Sequence, residues 1–156
     1  MSYNKEFKGD LNKGIMLIGY YGCGKSLLLE SYAHLQNMLI NQGGYAKYKL
    51  ITFINSIELV DKITKSENGE IKNYAFRPLI IDELGREPMQ VMVFGNILTP
   101  TSDLILARAD SPVITHATTN FNFERLASSN SYGPMLGDRI RAMFNFIKVK
   151  GTTRRR

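Results

Sequence analysis

The sequence predicts an α/β fold: a five-stranded, largely parallel sheet flanked by helices on both faces. Short apolar runs alternate with stretches of helical periodicity, and no repeat, low-complexity tract or Pro/Ser-rich linker interrupts them. Size agrees, since 156 residues, 44% of them hydrophobic, fill one ordinary core and leave little room for a second. With 22% charged residues, neither a disordered nor a fibrous class is indicated.

Taken in order, Ile15-Met16-Leu17-Ile18 reads as a buried strand leading into a Gly-rich loop. From Ser26 to about Gln42, the residues Leu28, Leu29, Tyr32, Leu35, Met38 and Leu39 recur at helical spacing, and Gly43-Gly44 stops the helix. A second strand covers Lys49 to Ile54, and Ser56 is the expected N-cap of a helix from Ile57 to about Lys65. Ser66 to Glu70 is a polar turn. Leu79-Ile80-Ile81 is a third strand, ending at Asp82-Glu83. After Pro88 a long helical region is expected to about Arg108, broken in two at Pro100 because proline removes a helix donor and crowds the preceding turn. Val113 to Thr119 is a fourth strand ending at Asn120. Short helices follow near Glu124–Ser128 and Met135–Phe144, and Phe146 to Val149 is the fifth strand.

Composition excludes several classes. The apolar runs are far too short to span a bilayer, and the first residues lack the apolar core of a secretion signal, so a cytoplasmic, soluble protein without a membrane partner is expected. A single cysteine, Cys23, forbids an intrachain disulfide or a cysteine zinc cluster. The two histidines, His34 and His116, stand in no ligand-spaced motif and read as a helix-face and a strand residue. A net charge of +6 and a pI near 9.5 permit a polyanionic partner without demonstrating one.

Three motifs carry chemistry. Gly19-Tyr20-Tyr21-Gly22-Cys23-Gly24-Lys25-Ser26 satisfies G-x-x-x-x-G-K-[ST] between a strand and a helix. Its glycines let backbone N–H groups from Gly22, Cys23 and Gly24 through to Leu27 face phosphate, Lys25 reaches the β- and γ-phosphates, and the Ser26 hydroxyl ligates Mg²⁺. Asp82, at the end of a buried strand, is the expected second metal group, acting through water, and Glu83 the base that polarises an attacking water. That second acid favours hydrolysis over phosphoryl transfer to a metabolite. Asn120, ending the fourth strand, is placed to sense the γ-phosphate or the water.

Together these segments resemble the AAA+ P-loop ATPases of the DnaC/IstB-like group of helicase loaders and transposition helpers. The resemblance runs from about Lys13 to Arg155. It is carried by Lys13 to Gly19, Ile81-Asp82-Glu83-Leu84-Gly85, Thr118-Thr119-Asn120, Gly137-Asp138-Arg139-Ile140 and Gly151-Thr152-Thr153-Arg154-Arg155. It implies an ATP- and Mg²⁺-dependent ATPase domain over residues 13–156 behind a short tail, residues 1–12. It also implies Arg139 as a finger on a neighbour's ATP, Arg155 as a nucleotide sensor, and ATP-promoted homo-oligomers acting on single-stranded DNA or a replicative helicase. The expected version lacks the N-terminal domain with which DnaC-type loaders grip a helicase, which suggests a phage or mobile-element origin. Lys47, Lys49, Lys62 and Lys65, with Tyr45, Tyr48 and Tyr74, are the candidate DNA contacts. A transposition helper ATPase, a small-molecule P-loop kinase and a nucleotide-operated switch are the alternatives.

Overall fold

Alternation along β1 (Gly14–Ile18) sorts its side chains between two cores, which is what a strand covered on both faces must do. In the computed structural model, which describes residues 9–43, 49–66 and 71–151, Met16 joins one core and Leu17 the other. The further main-sheet strands are β2 (Thr52–Asn55), β3 (Leu79–Asp82), β6 (Thr115–Thr119) and β7 (Phe144–Lys148). Their order is β2-β3-β6-β1-β7, and every pairing is parallel. The expected fold class is therefore the observed one. β6 lies between β1 and β3, so the residue after it, Asn120, emerges between the Gly-rich loop and Asp82-Glu83.

The two faces are covered unequally. On one, α2 (Ser56–Lys65), α3 (Ile71–Ala75), α4 (Pro100–Ala109), α5 (Phe123–Leu126) and α6 (Gly133–Met143) bury Met16, Ile54, Ile81, Leu104 and Ile140. On the other, among the described residues, α1 (Lys25–Gln42) alone packs against Leu17 and Ile80. A single helix presents one line of side chains to a flat sheet, here Lys25, Leu29 and Ala33 at i, i+4 spacing. Leu28, Leu35, Met38 and Leu39 of the expected apolar pattern consequently stay exposed.

Three expectations are corrected. The stretch after Pro88 is not a long helix: β4 (Val91–Val93) and β5 (Asn96–Leu98) form an antiparallel hairpin detached from the main sheet. Phe94 (φ 48°) and Gly95 (φ 80°) make the two-residue turn whose left-handed pair matches strand twist, and Val91, Val93 and Ile97 prefer strands. Pro100 starts α4 rather than breaking a helix, since the first turn needs no donor there. Ser56 is not the cap of α2: the Asn55 side chain accepts from Ile57 N at 3.0 Å, while Ser56 Oγ donates to Glu83 O.

At the N-terminal edge of the sheet, buried Arg108 ties the end of α4 to the entries of β3 and β6. Its guanidinium donates to Thr115 Oγ1 (2.7 Å), Arg77 O (3.0 Å), Ile114 O (3.2 Å) and Tyr74 O. Burial lowers its pKa to about 10, and these fixed oxygens keep the cation solvated, with no carboxylate paired to it among the described residues. Nearby in β6, His116 Nδ1 accepts from Ile15 N at 3.0 Å, and burial lowers its pKa, so His116 is a partly buried strand residue, on a strand as expected. No helix among the described residues is long and apolar enough to cross a membrane.

Candidate functional site

The Gly-rich loop leaves β1 at Gly19 and enters α1 at Lys25. Gly24 adopts φ 94°, a conformation that side-chain-bearing residues rarely take, although a Cβ there would meet no atom within 4 Å. Gly19 is required by space instead, since a Cβ would lie 2.5 Å from Val149 O. No side chain caps α1 and no acid sits in its first turn, so its leading N–H groups and dipole face the cleft unopposed.

Lys25 is buried and folded back on the loop. Its Nζ donates to Gly19 O, Tyr20 O and Asn120 Oδ1, each at 2.8 Å, and approaches Cys23 Sγ at 3.7 Å. Seven expected site residues, Gly22, Gly24, Lys25, Ser26, Leu27, Glu83 and Asn120, line one cleft of about 310 Å³ with Tyr21. The chain thus gathers an ammonium, a hydroxyl, a carboxylate and an amide within one concavity.

Beside it, the turn after β3 is held by β6. Thr118 Oγ1 donates to Asp82 Oδ1 at 2.6 Å and accepts from Glu83 N at 2.9 Å. Thr119 Oγ1 donates to Leu84 O at 2.8 Å. These bonds hold Glu83 at φ 57°, a left-handed conformation that costs a residue with a side chain. The Glu83 carboxylate accepts from Asn55 Nδ2 at 3.2 Å and pairs with Arg86, whose pKa is raised by that hydrogen bond and charge. Asp82 is buried behind the cleft and does not line it. Among the described residues no group of three or more His, Cys, Asp or Glu gathers to hold a metal. The Ser26 hydroxyl in the cleft and the Asp82 carboxylate buried beside it fit Mg²⁺, which keeps most of its waters and needs only one or two protein oxygens alongside phosphate.

Sequence reading missed Asn55, Arg86 and the paired roles of Thr118. Asn55 stands in register with Asp82 across β2 and β3, and only strand pairing reveals that neighbourhood. It also missed Glu87, buried after the turn, which accepts from Gly85 N at 2.9 Å and from Tyr132 Oη. Burial, then the Glu87 charge, raises the Tyr132 pKa well above its ordinary value. Glu87 so fastens the turn to the start of α6.

Arg139 is not brought to the cleft. Its Nη1 lies 3.6 Å from Asp110 Oδ1, at the end of α4 where the chain returns to the N-terminal edge. Half exposed on α6, it is not among the residues that line the cleft of Lys25. Arg155, Lys47, Tyr45 and Tyr48 lie outside the described residues. Of the other candidate DNA contacts, Lys62 pairs with Glu58 and Lys65 with Asp61, Lys49 donates to Phe76 O, and Tyr74 packs against the core.

Three solved structures share the architecture. One is a protein from Streptococcus pyogenes serotype M3 described as a primosome component: 21% identity, TM-score 0.67, covering 96% of this chain and 75% of that one. The second is DnaI: 24% identity, TM-score 0.67, covering 92% and 73%. The third is the DnaC helicase loader: 20% identity, TM-score 0.65, covering 93% and 82%. The fold is theirs. It is also the fold of the group that the motifs resemble. No family model matches the sequence, and no curated protein does.

Proposed function

We propose that residues 13–156 form an ATPase domain that binds ATP with Mg²⁺, hydrolyses it in assemblies of its own copies, and acts in DNA replication as a helicase-loader-like factor. The observation that carries this reading is the convergence of Lys25, Ser26, Glu83 and Asn120 on one cleft, delivered by adjacent parallel strands. The likeness to DnaI and the DnaC helicase loader supports the direction of the assignment, with single-stranded DNA or a replicative helicase as partner.

The residues divide the work. Lys25 leaves the carbonyls of Gly19 and Tyr20 for the more strongly charged phosphate oxygens, and the N–H groups of the loop and α1 complete the cradle. Ser26, directly, and Asp82, through water, would hold Mg²⁺, and the ion would supply neutralisation of phosphate charge. Glu83 takes a proton from the attacking water, and Asn120, released by Lys25, hydrogen-bonds the γ-phosphate. Arg139 serves the site of a neighbouring copy, because its own cleft lies at the other sheet edge. Arg155 keeps the nucleotide-sensing role that the resemblance gives it.

Complementation tests this. Lys25→Ala is expected to bind no nucleotide and Arg139→Ala to bind it without efficient turnover. A mixture should recover part of the wild-type rate, since intact Lys25 sites then meet intact Arg139 fingers. Turnover per chain should also rise with protein concentration. Normal turnover by Arg139→Ala at high dilution would sink the shared site, and absence of nucleotide binding by the wild type would sink the whole reading.

A further inference from the structure

The β4–β5 hairpin is the most conspicuous feature that the cleft does not use. From Pro88 to Ser102 the chain carries no charged residue, in a protein of net charge +6. Met92 and Ile97 stand opposite each other across the hairpin, 74% and 64% exposed, and Phe94 at the tip is wholly exposed. An isolated two-stranded ribbon is marginal by itself, and exposed apolar residues on it mark a surface that becomes covered. Without a cation, the ribbon is poorly suited to nucleic acid, whose phosphates dominate affinity.

The same chain carries a matching concavity. A groove of about 750 Å³ lies under α1 at the N-terminal edge, lined among others by Leu39, Ile51, Phe76, Pro78, Val113 and Ile114. Among the described residues it has no carboxylate in its lining, and the lysine there, Lys49, donates to Phe76 O. The hairpin lies between the end of β3 and the start of α4, hence at the C-terminal edge. Ile51, Pro78 and Ile114 each immediately precede a strand, which places the groove at the opposite edge. Knob and groove therefore cannot meet within one chain.

We propose that the β4–β5 hairpin of one copy seats in the N-terminal-edge groove of the next. Such a contact is heterologous and repeats head to tail, producing a ring or an open spiral according to its rotation. Its polarity is the one Arg139 needs, because the N-terminal edge of one copy then faces the cleft edge of its neighbour. The inference rests on the self-assembly part of the proposed function and names the contact that makes it.

Sedimentation velocity of the full chain, with Mg²⁺ and a non-hydrolysable ATP analogue, tests it. Phe94→Glu and Ile114→Lys alter exposed side chains, and unchanged thermal unfolding would verify that both variants fold. Each is expected to weaken self-association roughly 30-fold, as loss of a central apolar anchor does. Mixed together they should regain association, because the introduced carboxylate and ammonium then meet at alternate contacts. Wild-type association by either variant, no recovery in the mixture, or a wild type that stays monomeric overturns the proposal. Titration with a fluorescent ATP analogue separates the two ideas. A chain that binds no nucleotide yet associates through Phe94 at high concentration keeps the contact and loses the ATPase reading. Concentration-dependent ATP turnover that Phe94→Glu leaves untouched does the reverse.

Discussion

The two edges of the same five parallel strands solve opposite problems. At the C-terminal edge, β2 ends in Asn55, β3 in Asp82, β6 in Thr119 before Asn120, and β1 opens into the Gly-rich loop. Their polar groups are held by a few exchangeable bonds, and Glu83 sits in a costly left-handed conformation. At the N-terminal edge, Arg108 spends its donors on fixed backbone oxygens and one threonine hydroxyl. One edge keeps polar groups that a ligand can recruit, while the other consumes them to close the fold. The lesson is that a buried charge signals a site only when its partners can be exchanged.

Substitutions can break that contrast. The largest effect is expected at Glu83→Gln, which should lower turnover about 10²- to 10³-fold while nucleotide binding and thermal stability stay near wild type. Single-turnover kinetics with a binding titration checks this, and near-normal turnover would remove Glu83 from its role as base. Arg108→Met should do the opposite. Loss of the hydrogen-bonding guanidinium leaves buried carbonyls unpaired and should lower stability by about 3 kcal/mol in urea unfolding, with turnover by the remaining folded chains little changed.

Thr118→Val sharpens the comparison, since Thr118 serves both ends of it. Its hydroxyl is buried, accepts from Glu83 N and donates to Asp82. The valine variant should lose about 1–3 kcal/mol of stability and also turn over more slowly. A pure stability loss would make the turn's geometry irrelevant to chemistry. The smallest effect is expected from His116, whose pKa burial lowers. Below the unfolded value near 6.5 the unfolded chain takes up the proton first, so stability is full at pH 7 and falls toward the folded pKa. Thermal denaturation at pH 7 and pH 5 should show a smaller acid-induced drop for His116→Gln than for wild type.

The local elements were legible from the residues. The Gly-rich loop, the apolar run before Asp82-Glu83 and the strand ending at Asn120 each combine a periodicity with a polar terminus only a few residues long. Such patterns survive reading in one dimension because neighbouring residues determine them. The segment after Pro88 did not. Val91, Met92, Val93, Ile97 and Leu98 are apolar enough for a helix or a strand, and what separates the two is the pairing of Met92 with Ile97 across the Phe94-Gly95 turn. The exposure of Leu28, Leu35 and Leu39 on α1 was equally hidden, because periodicity gives a helix an apolar side without saying how much of it a sheet covers.

By itself, then, the sequence determined the α/β class, the Gly-rich loop between strand and helix and the acidic strand end, since backbone conformation and side-chain chemistry reside in short contiguous runs. Tertiary structure alone decided that β6 enters between β1 and β3, that Asn55 and Thr118 hold the Asp82-Glu83 turn, and that Arg139 pairs with Asp110 rather than lining its own cleft. Those are relations between residues far apart in the chain, fixed by strand order and by which side of the sheet each helix covers. No single segment contains that information.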